Sequence, residues 1–159
     1  MRKLTTVFLL SMVTLFLSAC GNEEKEAVQN KQTEQRWYTK AQVTEGAGLY
    51  RSNCAMCHKS DASGTRNWKE PLANGKYPPP PLNGDAHTWH HSLAALKRTI
   101  KNGGVALGGT MPGFSNRLND AQIESILAWV QTHWSDKIYQ TWSQRNVQSG
   151  QPMQMMNRP

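Results

Sequence analysis

Apolar positions follow three different patterns along the chain. Residues Leu4 to Leu17 form a nearly continuous apolar block, preceded by Arg2 and Lys3 and closed by Leu17-Ser18-Ala19-Cys20. The block is shorter than the roughly 20 residues that cross a bilayer comfortably. Its order of charge, apolar run and small residues is that of a secretory leader, assigned to residues 1–19. From Gly21 to about residue 43 the pattern vanishes into polar residues of mixed charge. Such a stretch cannot bury enough surface to fold alone, so 20–43 is expected to be a flexible tether. Trp37 and Tyr38 stand out as the point where it first touches a folded domain, taken as 44–134.

Helical spacing dominates the remainder. Thr44-Glu45 suits a helix start, with a helix to about Asn53. Leu93, Leu96 and Ile100 fall on one face of a helix over 91–102, stopped by Gly103-Gly104. The clearest stripe is Ile123, Ile126, Leu127, Val130 and Trp134, a helix over 119–134 capped by Asn119 or Asp120. Ser135-Asp136 begins a shorter helix to 148, with Ile138 and Trp142 on one side, and 149–159 is expected to be disordered. Between helices lie two irregular stretches. Residues 59–86 hold Gly64, Pro71, Gly75, the run Pro78 to Pro81, and Gly84, and the other carries Gly108 to Phe114. A loop as long as the first is normally functional or disordered, and here it could wrap a cofactor. No strand pattern or internal repeat is present, so the expected class is all-α.

Charge narrows the picture only slightly. The chain carries 18 Lys+Arg against 11 Asp+Glu, formally +7, and Arg2 and Lys3 of the leader account for two of those charges. A modest positive balance suits acidic partners or an anionic lipid surface. Nothing resembles a nucleic-acid module.

There are 3 cysteines. Leu-Ser-Ala-Cys-Gly resembles a bacterial lipobox, which implies that Cys20 is lipidated and becomes the mature N-terminus. Two cysteines then remain, in Cys54-Ala55-Met56-Cys57-His58. Cys-x-x-Cys-His reads as a c-type heme attachment site. Residues three apart on a helical turn share a face, so both thiols can meet one heme edge while His58 turns a ring nitrogen to the iron. A zinc site would need a second ligand pair, and a thioredoxin-like pair would need a βαβ context; neither is visible. The sixth ligand is expected downstream, and Met111, flanked by Gly108, Gly109, Pro112 and Gly113, is the favoured donor. His87, His90 and His91 are its competitors.

With these residues in hand, the chain resembles the small single-heme cytochromes c of the His/Met kind over about residues 44–134. Gly46, Tyr50, Ile126, Leu127 and Trp129 stand at that family's glycine, aromatic and C-terminal-helix positions. The resemblance implies the cytochrome c fold, one covalent heme c, and packing of Gly46 against Trp129. Pro80-Pro81-Leu82-Asn83-Gly84 looks like the family's Pro-x-Leu-x-Gly, implying that the Pro80 carbonyl accepts a hydrogen bond from His58. The segment His87-Thr88-Trp89-His90-His91, with Leu118-Asn119-Asp120 and Trp134, is similar to a subgroup of periplasmic monoheme cytochromes.

Two functions follow from this reading. In the first, the protein is no enzyme but a lipid-anchored, monomeric one-electron carrier on the periplasmic side of a bacterial membrane. Membrane oxidases, reductases or dehydrogenases would be its redox partners. Lys59, Arg66 and Arg117 are expected around the heme edge and Trp68 near a propionate. In the second, Met153, Met155, Met156 and the His87, His90, His91 cluster handle copper, or an openable sixth site senses gas.

Overall fold

The structure is a computed structural model that describes residues 36–149. The leader, Cys20 and the methionines at 153, 155 and 156 lie outside the described residues. Among the described residues five helices follow one another: α1 Lys40–Asn53, α2 Ala55–His58, α3 Leu93–Asn102, α4 Asp120–Thr132 and α5 Asp136–Gln148. Single 3-10 turns occupy Thr88–His90 and Val105–Leu107. Among the described residues the sole β contact is an isolated bridge between Tyr77 and Gly109, and no helix is long and apolar enough to cross a membrane.

Side-chain caps set the helix starts. Thr39 and Gln42 form a reciprocal capping box at α1, and Asn119 and Gln122 form another at α4. Ser92 and Ser135 cap α3 and α5. Each cap satisfies a backbone N–H that the first helical turn would otherwise leave unpaired.

Residues 36–43, expected in the flexible tether, are instead folded. Trp37 is buried, its indole N–H donates to Gln131 Oε1 at 2.7 Å, and its backbone N–H donates to the Tyr139 hydroxyl at 3.0 Å. Arg36 lies over the Tyr139 ring and bonds Asp136 at 2.8 Å. Thr44, expected to start α1, sits inside it and returns its hydroxyl to the Lys40 carbonyl. Trp37, which stands out in the sequence as the point of first contact, is the anchor; the polar composition around it placed the domain boundary several residues too late.

The apolar stripe of α4 faces inward as its spacing demands: Ile123, Ile126, Leu127 and Val130 are all buried, with Trp134 just beyond the helix end. α1 crosses α4 at Gly46, where an added Cβ would stand 1.8 Å from the Ser125 carbonyl oxygen. The close approach is thus at Ser125, one turn before Trp129. Trp129 instead meets Tyr50, ring centroids 4.1 Å apart. Glu45 accepts from the Ser125 hydroxyl at the same crossing.

The C-terminal helix, expected as an addition beyond 134, belongs to the core. Trp142 is 0% exposed and packs against Trp134 and Tyr139 at 5.8 and 5.5 Å. Its indole N–H reaches the His91 carbonyl, and Asn146 Oδ1 accepts the first amide of α3, that of Leu93. Two helices are thereby tied to the loop that carries His87 to His91.

Candidate heme-attachment site

α1 ends at Cys54, whose N–H still bonds the Tyr50 carbonyl at 2.8 Å, and α2 is one further turn. The amides of Cys57 and His58 both return to the Cys54 carbonyl. The turn therefore holds Cys54, Cys57 and His58 on one short rigid piece. Both cysteines are free thiols, Cys54 half-buried and Cys57 exposed. Burial, and then the neighbouring Cys57, push the Cys54 thiol up to about 11, so at neutral pH it carries its proton. Met56, between them, is 96% exposed.

His58 is 7% exposed, and its Nδ1 lies 2.9 Å from the Pro80 carbonyl oxygen. A carbonyl only accepts, so Nδ1 must be the protonated nitrogen and Nε2 is left with its lone pair. Burial pushes the imidazole below its ordinary value, against the opposing pull of the Pro80 hydrogen bond. A neutral imidazole with one nitrogen tied back and the other free is the form that ligates a metal.

The loop places Pro80 with unusual thoroughness. Four consecutive carbonyls each receive a different donor: Pro79 from the Thr65 amide, Pro80 from His58, Pro81 from the Thr88 hydroxyl and Leu82 from the Trp134 indole. Prolines have no N–H to offer, so the segment is held through its acceptors. The Leu82 amide completes the clamp on Ala62 O at 2.8 Å. On the other side the chain turns back sharply after His58, with Lys59 and Ala62 at φ of 63° and 60° and the Gly64 amide on the His58 carbonyl. Left-handed φ at two non-glycine residues costs energy and persists only where surroundings enforce it. Here Tyr50 donates its hydroxyl to Lys59 O and Ala62 is buried. Gly64 has φ +59°, and a Cβ there would stand 2.5 Å from Pro80 C and O. Glycine alone lets the two strips lie together.

Met111 occupies a separate strap, residues 109–114, laid across the end of α3. Its carbonyl accepts from Gly104 N at 2.9 Å, and Phe114 N bonds Ile100 O. At Gly103, φ +82°, a Cβ would stand 2.7 Å from Met111 O. The Met111 side chain is half-buried against the core. The two loops are joined where Tyr77 N bonds Gly108 O. Thus Cys54, Cys57, His58 and Pro80 form one connected unit, and Met111 sits on a neighbouring support.

Lys59, Arg66 and Arg117 are exposed, with Arg117 over the Phe114 ring. Trp68 stacks on His87. Sequence reasoning missed the roles of Gly64, Thr88 and the Trp134 indole in placing Pro80. Only Gly64 carries a local signal, as glycine in a turn.

The residues fit a covalently attached heme. Two unpaired thiols share a turn, a neutral imidazole has a free lone pair, and a thioether is held on a rigid loop. Half-buried Leu82, Leu96 and Ile100 and exposed Tyr77, Val105 and Leu107 add apolar surface on the same loops and on α3.

Comparison with known proteins supports the assignment. The model of the family described as cytochrome c oxidase, cbb3-type, subunit III matches residues 41–130. The cbb3-type cytochrome c oxidase subunit FixP of Sinorhizobium medicae is 29% identical over 115 residues, covering 69% of this chain and 34% of that protein. Cytochrome c6 of Synechocystis is 32% identical over 95 residues, covering 57% of this chain and 64% of the relative. The cytochrome c subunit of the quinone alcohol dehydrogenase of Gluconobacter oxydans is 26% identical over 107 residues, 67% of this chain and 22% of that subunit. The chain therefore spans about a third or less of the large oxidase and dehydrogenase subunits it matches. No solved structure matches it.

Proposed function

The chain belongs to the cytochrome c oxidase, cbb3-type, subunit III family, and on that premise we propose that it is a one-electron carrier tethered to the periplasmic side of a bacterial membrane. The observation that carries this reading is the 2.9 Å contact between His58 Nδ1 and Pro80 O, which leaves Nε2 as the free donor. Cys54 and Cys57 would hold the heme as thioethers, His58 would ligate its iron through Nε2, and Met111 would supply the second protein ligand. Bound in this way, one heme c provides a ferric/ferrous couple, and the His/Met pair sets its potential high relative to harder ligands. Pro80 holds His58 in one tautomer and orientation, so the ligand need not rearrange between oxidation states. With Met111 as that ligand the iron would be closed to substrate, and the protein would act as a carrier rather than an enzyme. Lipid on Cys20 and the following polar segment keep the monomeric domain near its partners and raise its effective concentration there. Terminal oxidases and dehydrogenases are the expected partners, met through small transient interfaces.

The test is the visible spectrum of the reduced protein with and without carbon monoxide. A c-type spectrum that carbon monoxide leaves unchanged is expected, with a carbon monoxide shift appearing in Met111→Ala. A shift in the native protein would mean an openable sixth site and replace the carrier with a sensor or enzyme. Absence of covalent heme would end the reading altogether.

A further inference from the structure

The 3-10 turn Thr88–His90 is flanked by two exposed histidines, His87 before it and His91 after it. Their ring centroids are 5.5 Å apart with planes at 76°. That separation has a chemical meaning. A coordinating nitrogen sits about 2.0–2.1 Å from a first-row metal and roughly 1.2 Å from its own ring centre, placing each centroid about 3.2 Å from the ion; two such rings at a tetrahedral angle stand about 5.2 Å apart. The observed spacing lies within a few tenths of an ångström of this, the centroid separation that two rings sharing one ion would have.

The surroundings leave the donors free. The indole of Trp68 stacks on His87 at 5.0 Å, which covers the face of that ring and leaves its in-plane nitrogens open. The turn is also rigid: His91 O accepts from the buried Trp142 and Thr88 is tied to Pro81 O. His90 is directed elsewhere, edge-on to Trp89 at 4.0 Å. No set of three His, Cys, Asp or Glu gathers among the described residues, so two protein donors would be completed by solvent. Lys69, whose ammonium lies 5.3 Å from the Trp68 ring, places a positive charge on this side and weakens the site.

We propose that His87 and His91 form a surface site for a divalent late transition-metal ion that accepts imidazole nitrogen in tetrahedral geometry, zinc(II) above all. The site is separate from the heme ligands and does not rest on the electron-transfer reading.

The experiment uses the full-length, untagged, ferric protein. Copper(II) is added and its paramagnetic resonance spectrum read for nitrogen splitting, while zinc(II) is titrated by calorimetry. One ion per chain with two coordinated nitrogens is expected. His87→Ala and His91→Ala should each weaken binding roughly tenfold or more, whereas His90→Ala and His133→Ala should change it by less than about twofold. Lys69→Gln should tighten it. His91 is exposed and its substitution leaves the Trp68 stack intact, so that variant decides the matter if His87→Ala disturbs the loop. Binding unaffected by His91→Ala, equally reduced by His90→Ala, or lost only on truncation after Gly150 would overturn the proposal.

Discussion

Around Trp142 the domain is filled by its own side chains. Trp37, Tyr50, Ile123, Ile126, Trp134, Tyr139 and Trp142 are buried together on α1, α4, α5 and the segments beside them. Along residues 59–86 and 103–118 the arrangement is different. There the backbone is clamped by hydrogen bonds and positive-φ turns, while Leu72, Tyr77, Val105 and Leu107 stay exposed. One region derives its stability from area removed from water. The other is held in shape so that particular atoms, His58 Nε2 above all, stand in particular places. A domain that binds a large flat apolar group needs both, a core that folds on its own terms and a set of loops whose shape does not depend on filling themselves.

This contrast is open to attack, and the largest effect should come from the self-filled region. Trp142→Ala removes a fully buried indole and its bond to His91 O, and should cost about 3–5 kcal/mol. Urea unfolding measures it, and a loss under about 1 kcal/mol would show that α5 is an appendage after all.

The clamped region should respond less in stability and more in function. Gly64→Ala meets Pro80 and a left-handed φ, so a loss of about 2 kcal/mol is expected. The same change pulls the Pro80 carbonyl away from His58 Nδ1, making the imidazole a poorer donor and raising the reduction potential of the heme-loaded protein. An unchanged potential alongside reduced stability would demote the Pro80 contact to a packing detail.

The smallest effect separates the regions by pH. Burial raises the Tyr139 phenol from 10.0 to about 12. Its neutral form is therefore favoured in the folded state, and the stability it contributes is complete below pH 10 and lost as pH rises toward about 12. Tyr139→Phe should be less stable at neutral pH but flatter across this alkaline window. Denaturation midpoints from pH 8 upward test it, and an equally steep alkaline loss in the variant would place the titration elsewhere.

Much of this architecture was legible in the chain. The α4 stripe, the Ser135 start, the Gly103 stop and the Cys54 to His58 motif are local signals, in which each residue's neighbours in sequence are also its neighbours in space. The resemblance to the His/Met cytochromes c also anticipated the His58–Pro80 contact. Other features resisted reading because their partners lie far away along the chain. Trp37 depends on Gln131 and Tyr139, and Gly46 depends on the Ser125 backbone.

By itself, then, the sequence determined the α3, α4 and α5 helices, the caps of α4 and α5 and the Cys54 to His58 turn, because periodicity, capping and Cys-x-x-Cys-His act within a few residues. Only the tertiary structure decided that residues 36–43 fold, that α5 completes the core, and that four carbonyls from Pro79 to Leu82 find four donors from three parts of the chain. Those choices rest on close packing and on the pairing of polar groups at long sequence separation, which no local pattern encodes.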